Sequence, residues 1–319
     1  MTRQGRRATC SGTRTGRVMK RFLRAEAERE EIVMARELRY HQKVEQSLIK
    51  KYRKELWTPF ITAVNRYELI RPGDRIAVCI SGGKDSMCMA KLMQEVQRHG
   101  KTPFEAVFLV MDPGYSPQNR EKILENAGRL KLPVTVFETN VFAVANSTDR
   151  TPCYLCARMR RGHLYSKARD LGCNKIALGH HLNDVIETVV MSMFFGGQMQ
   201  SMPPKLHSRN FPGMELIRPM YMVREEDIIA WSRYNGLEFL QCACRFTEQN
   251  GDGTGDSKRQ EIKALLRELG KENPDLEKSI FRSVHNVHLD TMAGFKTRGE
   301  RHSFLERYAG EGISGDPCI

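Results

Sequence analysis

The sequence predicts an α/β fold: a parallel sheet with helices on both faces and helical extensions at both ends. Three observations carry this. Short apolar, β-favouring runs at 75–80, 104–111, 134–138, 175–179 and 216–218 are separated by helical segments, the alternation that produces parallel sheets with right-handed crossovers. The first run stops at two glycines, and Met87, Met89, Ala90, Leu92, Met93 and Val96 then recur at helical spacing, which reads as strand, tight turn and helix. The chain has 319 residues, of which 40% are hydrophobic, enough for a sizeable core.

Residues 1–24 hold eight Arg or Lys and no acidic residue, and are expected to be a disordered basic arm. Residues 25–70 form an N-terminal helical region. Its helix is expected from Lys20 to Arg66 with a break near Pro59, and Trp57, Phe60, Ile61 and Val64 give it an apolar stripe. Glu68 to Asp74 turns the chain into the first strand. A central domain spans 71–248. In such sheets ligands bind beyond the carboxyl ends of the strands, so Ser81–Ser86, Asp112, Gly179 and His180-His181 are expected to share one crevice. Gly251–Gly255 reads as a linker and 257–291 as a closing helical segment within 249–319.

Formal net charge is +13, and subtracting the eight N-terminal cations leaves +5 on the remainder. A basic body suits a polyanion, most simply nucleic acid. Apolar stretches such as Val189–Phe195 are too short to cross a bilayer. The basic N-terminus is not followed by an apolar signal core. The expectation is therefore a cytoplasmic chain with no membrane contact. Nine cysteines in a reducing compartment point to metal or sulfur chemistry rather than disulfides.

The loop Ser81-Gly82-Gly83-Lys84-Asp85-Ser86 is built for phosphate. Glycines admit close backbone approach, and a helix N-terminus presents unsatisfied N–H donors and partial positive charge. Ser81 and Ser86 add hydroxyls, Lys84 a cation, and Asp85 a carboxylate suited to Mg²⁺. The spacing differs from a Walker A loop. It resembles the PP-loop of the ATP pyrophosphatases, which implies ATP binding through its pyrophosphate end and adenylation of a carbonyl oxygen.

Cys153 and Cys156 open a helix, and Cys242 and Cys244 follow the apolar run 237–240. A helix N-terminus favours the thiolate. Spacing alone leaves three readings open: a closed structural zinc site, a redox or persulfide pair at Cys153 and Cys156, or an iron–sulfur cluster on three of the four. Downstream of the first pair, Arg158, Arg160, Arg161, Lys167 and Arg169 make a basic helix, assigned with Lys205 and Arg218 to RNA phosphates. Asp184 is assigned to Mg²⁺ or to the reacting groups, and His180 or His181 to the α-phosphate. Glu187, one turn on, reads as a surface or packing residue.

Cys-x-x-Cys-x-Arg-x-Arg-Arg-Gly from 153, Lys-Ile-Ala-Leu-Gly-His-His-x-x-Asp at 175–184, Phe-Gly-Gly at 195–197, Met-Pro-Pro-Lys-Leu at 202–206 and Ile-Arg-Pro at 217–219 form an ordered series with the loop. From about Glu68 to Cys244 it resembles the bacterial tRNA 2-thiocytidine synthetases, which thiolate cytidine 32 of the anticodon loop. The resemblance implies ATP, Mg²⁺ and a [4Fe–4S] cluster on three cysteines, with Lys84, Asp85, His180 and Asp184 doing the chemistry. It also implies tRNA and a sulfur donor such as a cysteine desulfurase as partners; a homodimer is left open. The cluster ligands fall on Cys153, Cys156 and Cys244. This chain departs from the family pattern by having Cys-x-Cys at the second pair, which puts Cys242 beside Cys244 as the third ligand. Thiolation of a tRNA uridine is the alternative within the same chemistry. A non-catalytic iron–sulfur or RNA-binding protein is the alternative outside it.

Overall fold

The structure, a computed structural model, describes residues 38–146, 152–240 and 257–308. The basic arm 1–24, the first part of the N-terminal helix, both cysteines of the second pair and the 251–255 linker lie outside these residues.

Six strands form the main sheet: β1 Arg75–Ile80, β2 Glu105–Asp112, β3 Val134–Glu138, β4 Lys175–Ala177, β5 Lys205–His207 and β6 Glu215–Ile217, in the order β3-β2-β1-β4-β6-β5. Every pairing is parallel except β5 with β6. β5 was not anticipated. It has three residues and pairs only at the sheet edge, so it lacks the continuous apolar run that a strand buried on both faces needs. The chain moves outward from β1 through β2 to β3, then crosses back to place β4 on the other side of β1. That reversal opens a crevice at the carboxyl ends of β1 and β4.

Successive side chains of β1 point to opposite faces, and this separates two cores. Ile76, Val78 and Ile80 join Phe108 and Val110 on one face. Ala77 and Cys79 join Leu109, Ile176 and Leu216 on the other, beneath Tyr165 and Ala168. Burial pushes the Cys79 thiol up to about 12, so it stays protonated and packs as a small apolar group.

The N-terminal helical region runs α1 Tyr40–Gln46, two wide π-type turns at Ser47–Lys51 and Arg53–Trp57, and α2 Thr58–Arg66. The interruption falls at Tyr52 rather than Pro59. Pro59 is the second residue of α2, which directly follows the second π-type turn. Val44, Leu48, Leu56 and Phe60 from this region pack on α3 Lys84–His99. Consequently α3 is buried from Ser86 to Val96 and carries a fully enclosed Lys91. The Lys91 ammonium donates to Glu45 and Gln94 at 2.6 Å each and to the Leu130 carbonyl at 3.2 Å.

α4 Pro117–Arg129 starts with the Ser116 side chain accepting from the Asn119 N–H, a capped start with proline at the first position. α5 Val141–Asn146 and α6 Pro152–Asp170 follow β3. α7 Leu182–Gly196 follows β4 and ends where Gly197 adopts φ +57°, the left-handed conformation glycine takes without penalty. α8 Glu225–Tyr234 closes over α3. The closing segment is α9 Ser257–Glu272, α10 Leu276–Ser283 and a short turn at Leu289–Thr291. Ile262 and Leu266 of α9 pack on Ile186 and Val190 of α7. A hairpin of β7 Gly294–Thr297 and β8 Glu300–Ser303, then α11 Phe304–Tyr308, completes the described chain. No helix among the described residues is long and apolar enough to cross a membrane.

Candidate active site

The loop after β1 is held closed by its own side chains. Ser86 Oγ accepts from the Ser81 backbone N–H and the Ser81 hydroxyl, both at 3.1 Å, and donates to the Gly83 carbonyl at 3.0 Å. Gly82 sits at φ +88°, and a Cβ there would meet Ile123 Cγ1 at 2.5 Å. Gly83 precedes α3 with extended backbone and no side-chain cap, so the first N–H groups of α3 stay open to an anion. Lys84 Nζ donates to Glu225 Oε1 at 2.9 Å and to Asp85 Oδ2 at 3.2 Å. Asp85 Oδ1 is buried with no hydrogen bond among the described residues.

The end of β4 touches this loop. A Cβ on Gly179 would lie 3.1 Å from the backbone N and Cα of Ser86. Because both neighbours are backbone, Gly179→Ala must shift one strand end against the loop. The expected outcome is a fall in kcat/KM for ATP of up to about 10-fold, since the required shift is smaller than the 1 Å misplacement that costs about 100-fold. Steady-state kinetics against ATP will read it.

His180 is enclosed enough that burial lowers its imidazole to about 4, leaving it neutral at physiological pH, and its Nδ1 is buried without a partner among the described residues. His181 and Asp184 cap α7 reciprocally: the Asp184 N–H donates to His181 Nδ1 at 3.4 Å, and the His181 N–H donates to Asp184 Oδ2 at 3.0 Å. Burial would raise the Asp184 carboxyl, but the adjoining His181 imidazole, the His181 N–H and the Arg259 guanidinium hold it below the usual range. Arg259 Nη1 donates to Asp184 Oδ1 at 2.9 Å.

A cleft of about 550 Å³ opens beside the loop. It is lined by Ser81, Asp85 and Ser86 of the loop, by Gly179, His180 and Asp184 after β4, by Ala157, Arg160 and Arg161 of α6, and by Arg218 after β6. Arg218 donates to the Pro203 carbonyl, and burial lowers its guanidinium to about 10. On the opposite flank of the loop, a second cavity of about 560 Å³ is lined by Lys84, Glu225 and Arg233.

The structure thus brings Ser81, Asp85, Ser86, Gly179, His180, Asp184, Arg160 and Arg161 to one cleft. Asp112 lies apart from it: its buried Oδ1 accepts from the Gly114 and Tyr115 N–H groups at 2.9 and 2.8 Å and shapes the loop after β2. The Tyr115 hydroxyl then donates to the Ser81 carbonyl at 3.3 Å, tying that loop to the first. Arg158 is exposed on α6. Lys205 is on the edge strand, donating to the Glu68 carbonyl at 3.2 Å. Cys156 is half-buried in the first turn of α6, immediately before cleft-lining Ala157. Cys153 is in the same turn, but its side chain lies outside the described residues, as do Cys242 and Cys244. Among the described residues no three His, Cys, Asp or Glu side chains are grouped for a metal.

Three ionic residues beside the loop, Arg259, Lys263 and Glu225, escaped sequence reasoning, and so did the burial of Glu187 behind them. Glu187 is buried, which raises its carboxyl to about 7. Arg259 Nη1 lies 3.2 Å from Glu187 Oε2, and Lys263 Nζ lies 3.6 Å from Glu187 Oε1. Burial would raise Glu225, yet its bond to Lys84 and the charges of Lys84 and Lys263 bring it down to about 2. Glu225 stands in Glu225-Glu226-Asp227, a common acidic first turn of a helix, so nothing in the sequence marks it out.

Comparison with known proteins agrees with this geometry. A family model described as a PP-loop domain matches residues 57–244. The tRNA-cytidine(32) 2-sulfurtransferase of Geobacter sulfurreducens is 38% identical over 229 residues, covering 70% of this chain and 86% of that protein. Its namesake in Vibrio cholerae is 35% identical over 259 residues, 79% of this chain and 80% of the relative. Among solved structures, the U34-tRNA thiolase NcsA from Methanococcus maripaludis with its [4Fe-4S] cluster superposes with TM-score 0.57 at 18% identity, over 82% of this chain and 90% of that one, a likeness of fold. At that identity and coverage, and with the PP-loop domain matched over 57–244, the chain belongs to the tRNA-cytidine(32) 2-sulfurtransferase family of PP-loop proteins.

Proposed function

We propose that this protein adenylates C2 of a tRNA cytidine, that of position 32, and replaces its oxygen with sulfur. The observation that carries the reading is one cleft with two kinds of wall. The phosphate loop and Asp184 supply one part of its lining, and Ala157, Arg160 and Arg161 of α6, just after Cys156, supply another. The cytidine O2 attacks the α-phosphorus of ATP and pyrophosphate leaves; a sulfur nucleophile then adds to C2 and AMP leaves with the oxygen. An amide-like oxygen is a poor leaving group and AMP a good one. The open N–H groups of α3 and Lys84 bind the departing pyrophosphate. Asp85 and Asp184 are the carboxylates placed for Mg²⁺. Neutral His180 can donate a hydrogen bond to the α-phosphate without adding charge. Arg160 and Arg161 carry tRNA phosphate into the cleft, while exposed Arg158 and Lys205 extend that basic surface.

The donor chemistry fits a cluster. Cys156 presents a soft sulfur ligand at a helix start beside the cleft, and Cys153 and Cys244 complete the set of three. Bound there, a [4Fe–4S] cluster supplies an iron left open to carry sulfur, delivered by a donor of the cysteine desulfurase class.

Two measurements test this. Mass spectrometry of tRNA nucleosides should show 2-thiocytidine lost on deleting the gene and restored by this chain; restored 2-thiouridine instead would overturn the base assignment. Protein purified without oxygen should be brown with about four irons per chain. Cys153→Ala, Cys156→Ala and Cys244→Ala should each lose iron and activity, whereas Cys242→Ala keeps both. A colourless protein with one zinc would replace the cluster by a closed structural site.

A further inference from the structure

α9 lies beyond the matched PP-loop domain, yet two of its cations reach the surroundings of the loop. Arg259 and Lys263 are four residues apart and so share one helix face. Arg259 bridges Asp184 Oδ1 and Glu187 Oε2 at 2.9 and 3.2 Å. Lys263 bridges Glu225 Oε2 and Glu187 Oε1 at 3.2 and 3.6 Å. The other Glu225 oxygen accepts from Lys84 at 2.9 Å. Charges therefore alternate without a gap from Asp184 through Arg259, Glu187, Lys263 and Glu225 to Lys84.

We infer that Arg259 and Lys263 are positioning residues of the adenylation site, Arg259 fixing the carboxylate of Asp184 and Lys263 fixing Glu225, which in turn holds Lys84. The inference rests on the adenylation reading above. A helix staple would need only the buried Glu187. Instead each cation spans to a second carboxylate, one lining each cavity beside the loop. Asp184 Oδ2 is held by the His181 N–H and Oδ1 by Arg259; with both oxygens held, the carboxylate keeps one orientation. Lys84 has a flexible stem and a point charge, so its direction depends on the carboxylate that receives it. Glu225, gripped from behind by Lys263, supplies a fixed one.

The test is ATP–pyrophosphate exchange by the full-length protein with tRNA, alongside thermal unfolding. Arg259→Gln should lower kcat about 10- to 100-fold with KM for ATP within about threefold, the pattern of an interaction realised in the transition state. Lys263→Gln should lower kcat in the same direction. Glu187→Gln removes the shared buried carboxylate but leaves Arg259 on Asp184 and Lys263 on Glu225, so kcat should stay within about threefold of wild type. Equal losses of kcat in Glu187→Gln and Arg259→Gln would make the network a staple and overturn the inference. Should Arg259→Gln fold poorly, Arg259→Lys carries the test, since it keeps the charge and loses the planar fork: wild-type kcat overturns the inference, and a reduced kcat at an unchanged midpoint supports it. Wild-type protein silent in exchange would overturn the adenylation reading and this inference with it. Active wild type with unaffected variants would overturn the positioning role alone.

Discussion

Lys84→Ala is expected to lower tRNA thiolation by about 10²- to 10³-fold or more, the scale on which removing one preorganised charge donor slows a reaction that builds up anionic charge. The fold should survive. Lys84 is at the first position of α3, with its ammonium at a half-buried surface between Asp85 and Glu225. Glu225 keeps Lys263 when Lys84 is gone, and Asp85, which loses its hydrogen-bonded cation, stays 30% exposed to solvent. Such half-exposed pairs are worth about 0–1 kcal/mol, and the unfolding midpoint should hardly move. Quantified 2-thiocytidine from cells carrying the variant, with thermal unfolding of the purified protein, gives both readings. Full thiolation by folded Lys84→Ala protein would remove the phosphate role from this loop.

The largest effect on stability is expected at Lys91, far from the chemistry. Its ammonium has no exposure and lies between Glu45 at 2.6 Å and Glu95 at 3.6 Å. Glu95 is itself buried, with Arg98 the nearest remaining cation at 3.2 Å. Lys91→Ala leaves a cavity at the centre of α3 and a buried carboxylate short of charge. Removing one partner of a buried pair costs about 3–5 kcal/mol, equivalent to a midpoint lower by about 4–8 °C in a chain of this size. Lys91→Met with Glu95→Gln keeps the volume and removes both charges, and should recover most of the loss. Differential scanning calorimetry separates the two. A double variant as unstable as Lys91→Ala would mean that packing at this position, not the stranded charge, sets the cost.

The strands that were legible in the sequence are those whose burial on both faces forces a continuous apolar run. β1, β2 and β3 fall within a residue of their expected ends, and the loop between β1 and α3 could be read because its glycines answer to backbone geometry alone. β6 also falls within a residue of its expected ends, whereas β4 stops at Ala177 rather than Gly179 because the apolar run continues past the last ladder bond. β5 and the β7–β8 hairpin were hidden, since edge pairing tolerates polar residues such as His207, Glu300 and Arg301. In the site, His180, Asp184 and Gly179 were found because they follow a strand end. Glu225, Arg259 and Lys263 were not, because ordinary surface-type helical charges acquire meaning only from what folds against them. Glu187 shows the same limit: its helical position was correct, but the partner that buries it comes from a helix some 70 residues later.

The alternating chain of charges also has a bearing on when the site exists during synthesis. The phosphate loop leaves the ribosome early, but the last cation that braces its lysine is Lys263, about 180 residues downstream. At ordinary elongation rates that gap is roughly 10 to 40 s. Through that interval the nascent chain has a loop able to meet ATP without the brace behind Glu225 or the arginine on Asp184. A chain that stops short of α9 would share that condition permanently: its nucleotide loop would be intact in sequence but without its brace, so prematurely terminated products should add little background adenylation to the cell.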